Sequence, residues 1–152
     1  MNDDNLLLYL VACLGEECNE LAIELCNKRI DKVSLYKEVL DVLSVYKLIS
    51  DNINEFAPDT TVGNVSRNNL TKSLQDVVHL SFKTIRFGLY KYGHDSIYNN
   101  IDTILNNTNM ICGYLEFFKN MCRLSGIDED IYMSNKIEKV LMYYKGNDNV
   151  KK

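Results

Sequence analysis

Tryptophan is missing altogether, proline occurs once and histidine twice. Without tryptophan, any aromatic stacking rests on tyrosine or phenylalanine. His79 and His94 have no ligand-spaced partner, and none of the five cysteines forms a CxxC pair. A zinc site is therefore not expected. The cysteine count is odd, which fits reduced thiols used as small core residues in a cytosolic protein. No block of basic residues is present and the net charge is −4. Binding nucleic acid through its phosphate backbone is thus disfavoured. A small phosphorylated ligand that arrives with a divalent cation stays compatible. No apolar run is long enough to cross a membrane. "LLLYLVACL" is the nearest, and its "LVAC" resembles a lipoprotein cleavage box ending at Cys13. The residues ahead of it, Met-Asn-Asp-Asp, are acidic where a signal peptide is basic. The expectation is a cytoplasmic chain with no membrane partner.

What remains is ordinary globular material: 152 residues, 46% apolar and 25% charged. That length fits one domain, or two small halves sharing a core. The single proline, Pro58, sits in the least periodic stretch, and residues 56–69 read as a linker. Leu7, Leu10, Leu14, Leu21 and Leu25 follow three-four spacing, as do Val39, Val42, Tyr46, Ile49 and Ile53. The polar turn "KRIDK" between them implies an antiparallel helix pair over residues 1–55. Leu70, Leu74, Val77, Ser81 and Ile85 predict a third helix, and the pattern from Ile97 to about Arg123 a fourth. Together these make a second hairpin over 70–124. "SGIDED" interrupts the chain, with Ser125 or Asp128 as the cap of a short C-terminal helix over 128–145. No strand pattern lasts. The expected fold is all-α, an antiparallel bundle of four main helices plus that short helix.

Acids stand where a core is expected. At about 100° per residue, Glu17, Glu20 and Glu24 fall within about 60° of one another beside the leucine stripe, with Glu16 just beyond. Glu38 and Asp41 lie one turn apart, flanked by Leu35, Val42, Val45 and Ile49. Burying charge without a partner is costly, and like charges at three-four spacing destabilise a helix. Either basic side chains or a divalent metal must relieve the repulsion. The bases near in sequence are Lys28, Arg29, Lys32, Lys37 and Lys47. An all-oxygen set of ligands suits Mg²⁺ or Mn²⁺ better than zinc.

The acids form EExxE, a gap of seventeen residues, then ExxD: Glu16, Glu17 and Glu20, then Glu38 and Asp41. This pattern resembles the all-α nucleoside triphosphate pyrophosphohydrolases, the MazG-like and dimeric dUTPase superfamily. The likeness covers about the first 55 residues. It implies a MazG-like fold and cleavage of a (d)NTP between the α and β phosphates, giving a monophosphate and pyrophosphate. It makes Glu17, Glu20, Glu38 and Asp41 ligands to Mg²⁺, or to Mn²⁺. Glu16 would complete the metal and water site, as a general base. Lys28, Arg29 or Arg86 would hold the outer phosphates.

The second half can be laid on the first. Gln75, Asp76 and His79 then stand where Glu16, Glu17 and Glu20 stand, and Asn106 and Asn109 replace Glu38 and Asp41. This looks like a tandem copy of the hairpin whose metal site is lost. "FKTIRFGL" (82–89) also resembles a stretch of phage-type family members. Tyr36, Tyr46, Tyr90, Tyr92, Phe82 and Phe87 are the candidates for stacking on a base. The implied function is a Mg²⁺-dependent nucleotide pyrophosphohydrolase. A binding protein that captures a nucleotide without turnover is the alternative, and a helical interaction module with surface acids a third. Whether the chain pairs into a homodimer is left open.

Overall fold

The computed structural model describes residues 4–29, 31–53, 67–89, 115, 119 and 126–150. Four helices make up nearly all of this: α1 (Asp4–Cys26), α2 (Lys32–Ile53), α3 (Arg67–Leu89) and α4 (Glu129–Val150). No strand occurs among the described residues. The all-α expectation is therefore met. The expected fourth helix, with Asn106, Asn109, Phe117 and Phe118, lies outside the described residues apart from Leu115 and Lys119. Both of these are helical.

Each start has a local cause. Asp31 caps α2: its Oδ1 accepts the Val33 N–H at 2.9 Å, which satisfies a donor the first turn leaves open. Its carbonyl accepts the Leu35 N–H at 2.9 Å. Of the two caps expected for α4, Asp128 is the one used, with Oδ1 accepting from Ile131 N–H at 3.2 Å. Gly126 before it has φ +78°, a conformation that L side chains rarely adopt. Glu129 and Asp130 then place negative charge at the positive end of the helix dipole.

α4 is not short. It runs to Val150, as long as α2 and beyond the expected 128–145. Its cap fixes the start, and no proline follows Pro58 to stop it. α3 likewise begins three residues inside the expected linker, at Arg67.

α1 is the central helix, packing against α2 on one side and α3 on the other. Leu7, Leu10, Leu14 and Leu21 of α1 are fully buried with Val39, Val42 and Ile49 of α2 and Leu70, Leu74 and Val77 of α3. Leu115 joins this core. At Gly15, α1 and α3 come close together, because a Cβ there would collide with the Ser81 side chain. A mid-helix glycine costs about 1 kcal/mol against alanine, so this close approach accounts for its presence. α4 lies over the α1–α2 hairpin. Tyr36 OH donates to Glu129 Oε2 at 2.7 Å, and Tyr9 OH donates to the Val140 carbonyl at 3.0 Å. Tyr9 also packs on Tyr144, with ring centroids 5.0 Å apart.

Candidate metal centre

The five-residue turn returns α2 antiparallel to α1. Glu17 lies nine residues before the end of α1, and Asp41 nine residues after the start of α2. The hairpin thus brings them to the same level. Glu38, one turn before Asp41, completes the group. One carboxylate oxygen from each of Glu17, Glu38 and Asp41 lies within 4.8 Å of the other two. Ligands on opposite sides of an octahedral Mg²⁺ shell stand roughly 4.2 Å apart, so the group is of the size a divalent ion takes.

The cluster is largely out of water. Glu17 is 8% exposed and Asp41 9%. Glu17 Oε2 and Glu38 Oε2 are buried and accept no hydrogen bond. Orphaned carboxylate oxygens in a closed site are costly, and a hard cation is the partner that suits them. Burial, then the charges of Asp41, Glu20 and Glu17, push the Glu38 carboxyl up from 4.5 to about 7. Burial also raises Asp41. The Tyr132 hydrogen bond and the Lys136 charge pull it back, Glu17 pushes it up, and the net direction is upward.

Sequence reasoning missed the third wall. Tyr132 and Lys136, on α4, reach into the cluster from above. Tyr132 OH donates to Asp41 Oδ1 at 2.8 Å. Lys136 Nζ donates to Glu17 Oε1 at 2.7 Å and lies 4.0 Å from Asp41 Oδ1. Burial lowers the Lys136 pKa, but the hydrogen bond to Glu17 and the charges of Asp41, Glu17 and Glu20 outweigh it, so the net shift is upward. Asp41, Tyr132, Asn135, Lys136 and Lys139 line an open groove of about 360 Å³ beside the carboxylates. The signal was available: Tyr132, Asn135, Lys136 and Lys139 follow i, i+3, i+4, i+7 spacing and so share one face of α4.

The other expected residues fall elsewhere. Glu20 is exposed, because three residues advance 300° and leave it about 60° round from Glu17. It remains within reach of the cluster's field. Its carboxyl is raised by burial first and then by the charge of Glu17. Glu16 is exposed on the other flank, lining a cavity of about 400 Å³ between α1 and α3 with Gly15, Ser81 and Phe82. Lys28 and Arg29 are exposed at the α1–α2 turn, past the end of α1, which itself lies about 13 Å from Glu17 at 1.5 Å per residue. Arg86 is exposed in the last turn of α3. None of these three lines the groove beside the carboxylates. Of the stacking candidates, Tyr36 and Tyr46 are core residues with 1% and 2% exposure, which removes them. Phe82 is 68% exposed on the rim of the α1–α3 cavity. Tyr90 and Tyr92 lie outside the described residues, as does the side chain of Phe87.

Among the described cysteines, Cys13, Cys18 and Cys26 are free thiols. Cys18 is fully buried, and burial raises its pKa. No described helix is long and apolar enough to cross a membrane. Neither a protein-family model, nor a curated protein, nor a solved structure matches the chain. What stands is an all-α protein of four packed helices with a buried acidic cluster that can hold a metal ion.

Proposed function

We propose that the protein is a Mg²⁺-dependent nucleoside triphosphate pyrophosphohydrolase, converting (d)NTP and water to (d)NMP and pyrophosphate. The observation that carries this reading is the pair of buried, unpartnered oxygens on Glu17 and Glu38, within a three-carboxylate cluster on a rigid hairpin. Glu17, Glu38 and Asp41 would hold Mg²⁺, or Mn²⁺ in its place. A divalent ion bound there supplies an activated water and offsets charge on the phosphates.

The chain's own residues do the rest. Tyr132 fixes the Asp41 carboxylate through its hydroxyl, as outer partners commonly orient metal ligands. Glu20, exposed at the solvent edge beside Glu17, would accept the proton of the attacking water. Lys139 and Asn135 line the groove next to the cluster and offer donors to the outer phosphates. Phe82 offers an exposed ring to a base, on the Glu16 side of α1.

A second reading has its own support. An ammonium already sits on Glu17, and two of the five patterned acids lie outside the cluster. That favours a protein which binds a nucleotide and returns it unchanged. One assay separates the two. Pyrophosphate release is measured over a panel of NTPs and dNTPs, with and without Mg²⁺, beside Glu38→Gln. Release that needs both metal and Glu38 is the expected result. Stoichiometric binding with no release for any nucleotide would replace the enzyme by the binding protein.

A further inference from the structure

Among the described residues, Lys136 is the cation that ion-pairs with the carboxylate cluster. It comes from 119 residues beyond Glu17, and its Nζ lies 2.7 Å from Glu17 Oε1 and 4.0 Å from Asp41 Oδ1. It therefore faces two of the three carboxylates that can hold a metal. It does not complete the site, since Glu17 Oε2 and Glu38 Oε2 stay without partners. One ammonium brings a single charge to three acids. A divalent ion brings two charges and several coordination positions.

Two cations a few ångströms apart in a half-buried site repel each other. Occupancy by one must lower occupancy by the other. Lys136 also has somewhere to go: its side chain is 22% exposed, its stem is flexible, and the groove with Asn135 and Lys139 opens beside it. Its bond to Glu17 is one of the ties between α4 and α1.

We infer that Lys136 is an internal counter-ion which a divalent metal must outcompete, so that metal loading releases the tie between α4 and α1. This rests on the metal-site reading above. In the absence of metal, Lys136 offsets the repulsion among the acids and keeps α4 seated. In its presence, the ammonium swings into the groove. The device sets a threshold: the site fills only when divalent ion is abundant enough to displace the lysine.

The test is Mn²⁺ titration of the whole chain, followed by the electron paramagnetic resonance of free ion. Wild type is compared with Lys136→Gln, Lys136→Arg and Glu38→Gln. Glutamine still donates a hydrogen bond to Glu17 but carries no charge. The expected result is affinity about tenfold or more tighter in Lys136→Gln, and near wild type in Lys136→Arg. Equal or weaker binding in Lys136→Gln overturns the inference. If wild type binds Mn²⁺, Glu38→Gln does not and Lys136→Gln is unchanged, the metal site stands and the counter-ion role falls. No binding to wild type or Lys136→Gln removes the metal site and the inference together. Hydrogen exchange on the unaltered protein gives a second reading. Amides in the first half of α4 lose protection when Mn²⁺ is added, and unchanged or increased protection overturns the release of α4.

Discussion

α1 and α3 are neighbours of equal length, 23 residues each, and they treat one aligned pair of acids, Glu17 and Asp76, oppositely. On α1, Glu17 is buried and ion-paired to Lys136. On α3, the residues aligned with the α1 acids, Gln75, Asp76 and His79, are all exposed. Both helices present a buried apolar stripe, so amphipathicity does not separate them. The difference lies in what covers the polar edge. α2 and α4 close over that edge of α1 and turn a set of surface acids into a site. An acid pattern on a helix becomes chemistry only when other elements remove the water around it.

Four experiments break or sharpen that contrast. The largest effect is on turnover. On the proposed pyrophosphohydrolase activity, Glu38→Gln lowers Mg²⁺-dependent pyrophosphate release by about 100-fold or more, as loss of a proposed metal ligand should. Asp76→Asn on α3 stays within about twofold of wild type, as for an ordinary surface change. Equal losses in both variants would mean that α3 carries a site too.

Next comes the contact that holds the two helices together. Gly15→Ala drives a methyl group into Ser81, which outweighs the roughly 1 kcal/mol the helix gains from alanine, and destabilises the fold by about 1–2 kcal/mol net, read from the urea midpoint. A raised midpoint would show that α1 and α3 do not approach this closely in solution.

Tyr132→Phe is gentler. It removes the hydroxyl donated to Asp41 and leaves the ring, so Mn²⁺ affinity falls by about tenfold with the fold intact. Unchanged affinity would leave Tyr132 as packing alone.

The smallest effect is on thermal stability against pH. The folded Glu38 carboxyl holds its proton up to about pH 7, whereas the unfolded one releases it near 4.5. Between those values the folded state binds more protons. The contribution of Glu38 to stability therefore falls as pH rises through that window. Without metal, wild type loses melting temperature from pH 5 to 8 more steeply than Glu38→Gln does. Parallel curves would mean that Glu38 is not held in the cluster.

Much of the hairpin was legible from the chain alone. The leucine and valine spacings named the buried faces of α1, α2 and α3, and the α1–α2 turn lies where the polar residues fall. Glu38 and Asp41 could be placed because apolar neighbours surround them in sequence. Three things resisted. Glu20 was a ligand by the EExxE resemblance, and helix rotation sets it at the solvent edge, outside the three-carboxylate group. Lys28, Arg29 and Arg86 do not line the groove beside the acids, and the cations that do, Lys136 and Lys139, come from the far end of the chain. Tyr36 and Tyr46 were offered as stacking rings although they continue the apolar stripe of α2, and the core took them. Long-range return of α4 is set by tertiary packing, which local spacing does not encode. The polar face of Tyr132, Asn135, Lys136 and Lys139 was visible, but nothing nearby said what it would meet.

The most direct test of the account is anomalous diffraction from crystals of the protein grown with Mn²⁺. The account predicts one manganese peak bounded by Glu17, Glu38 and Asp41, with the Lys136 ammonium turned away into the α4 groove. Crystals that bind no manganese there at millimolar concentration, with Lys136 still on Glu17, would contradict it.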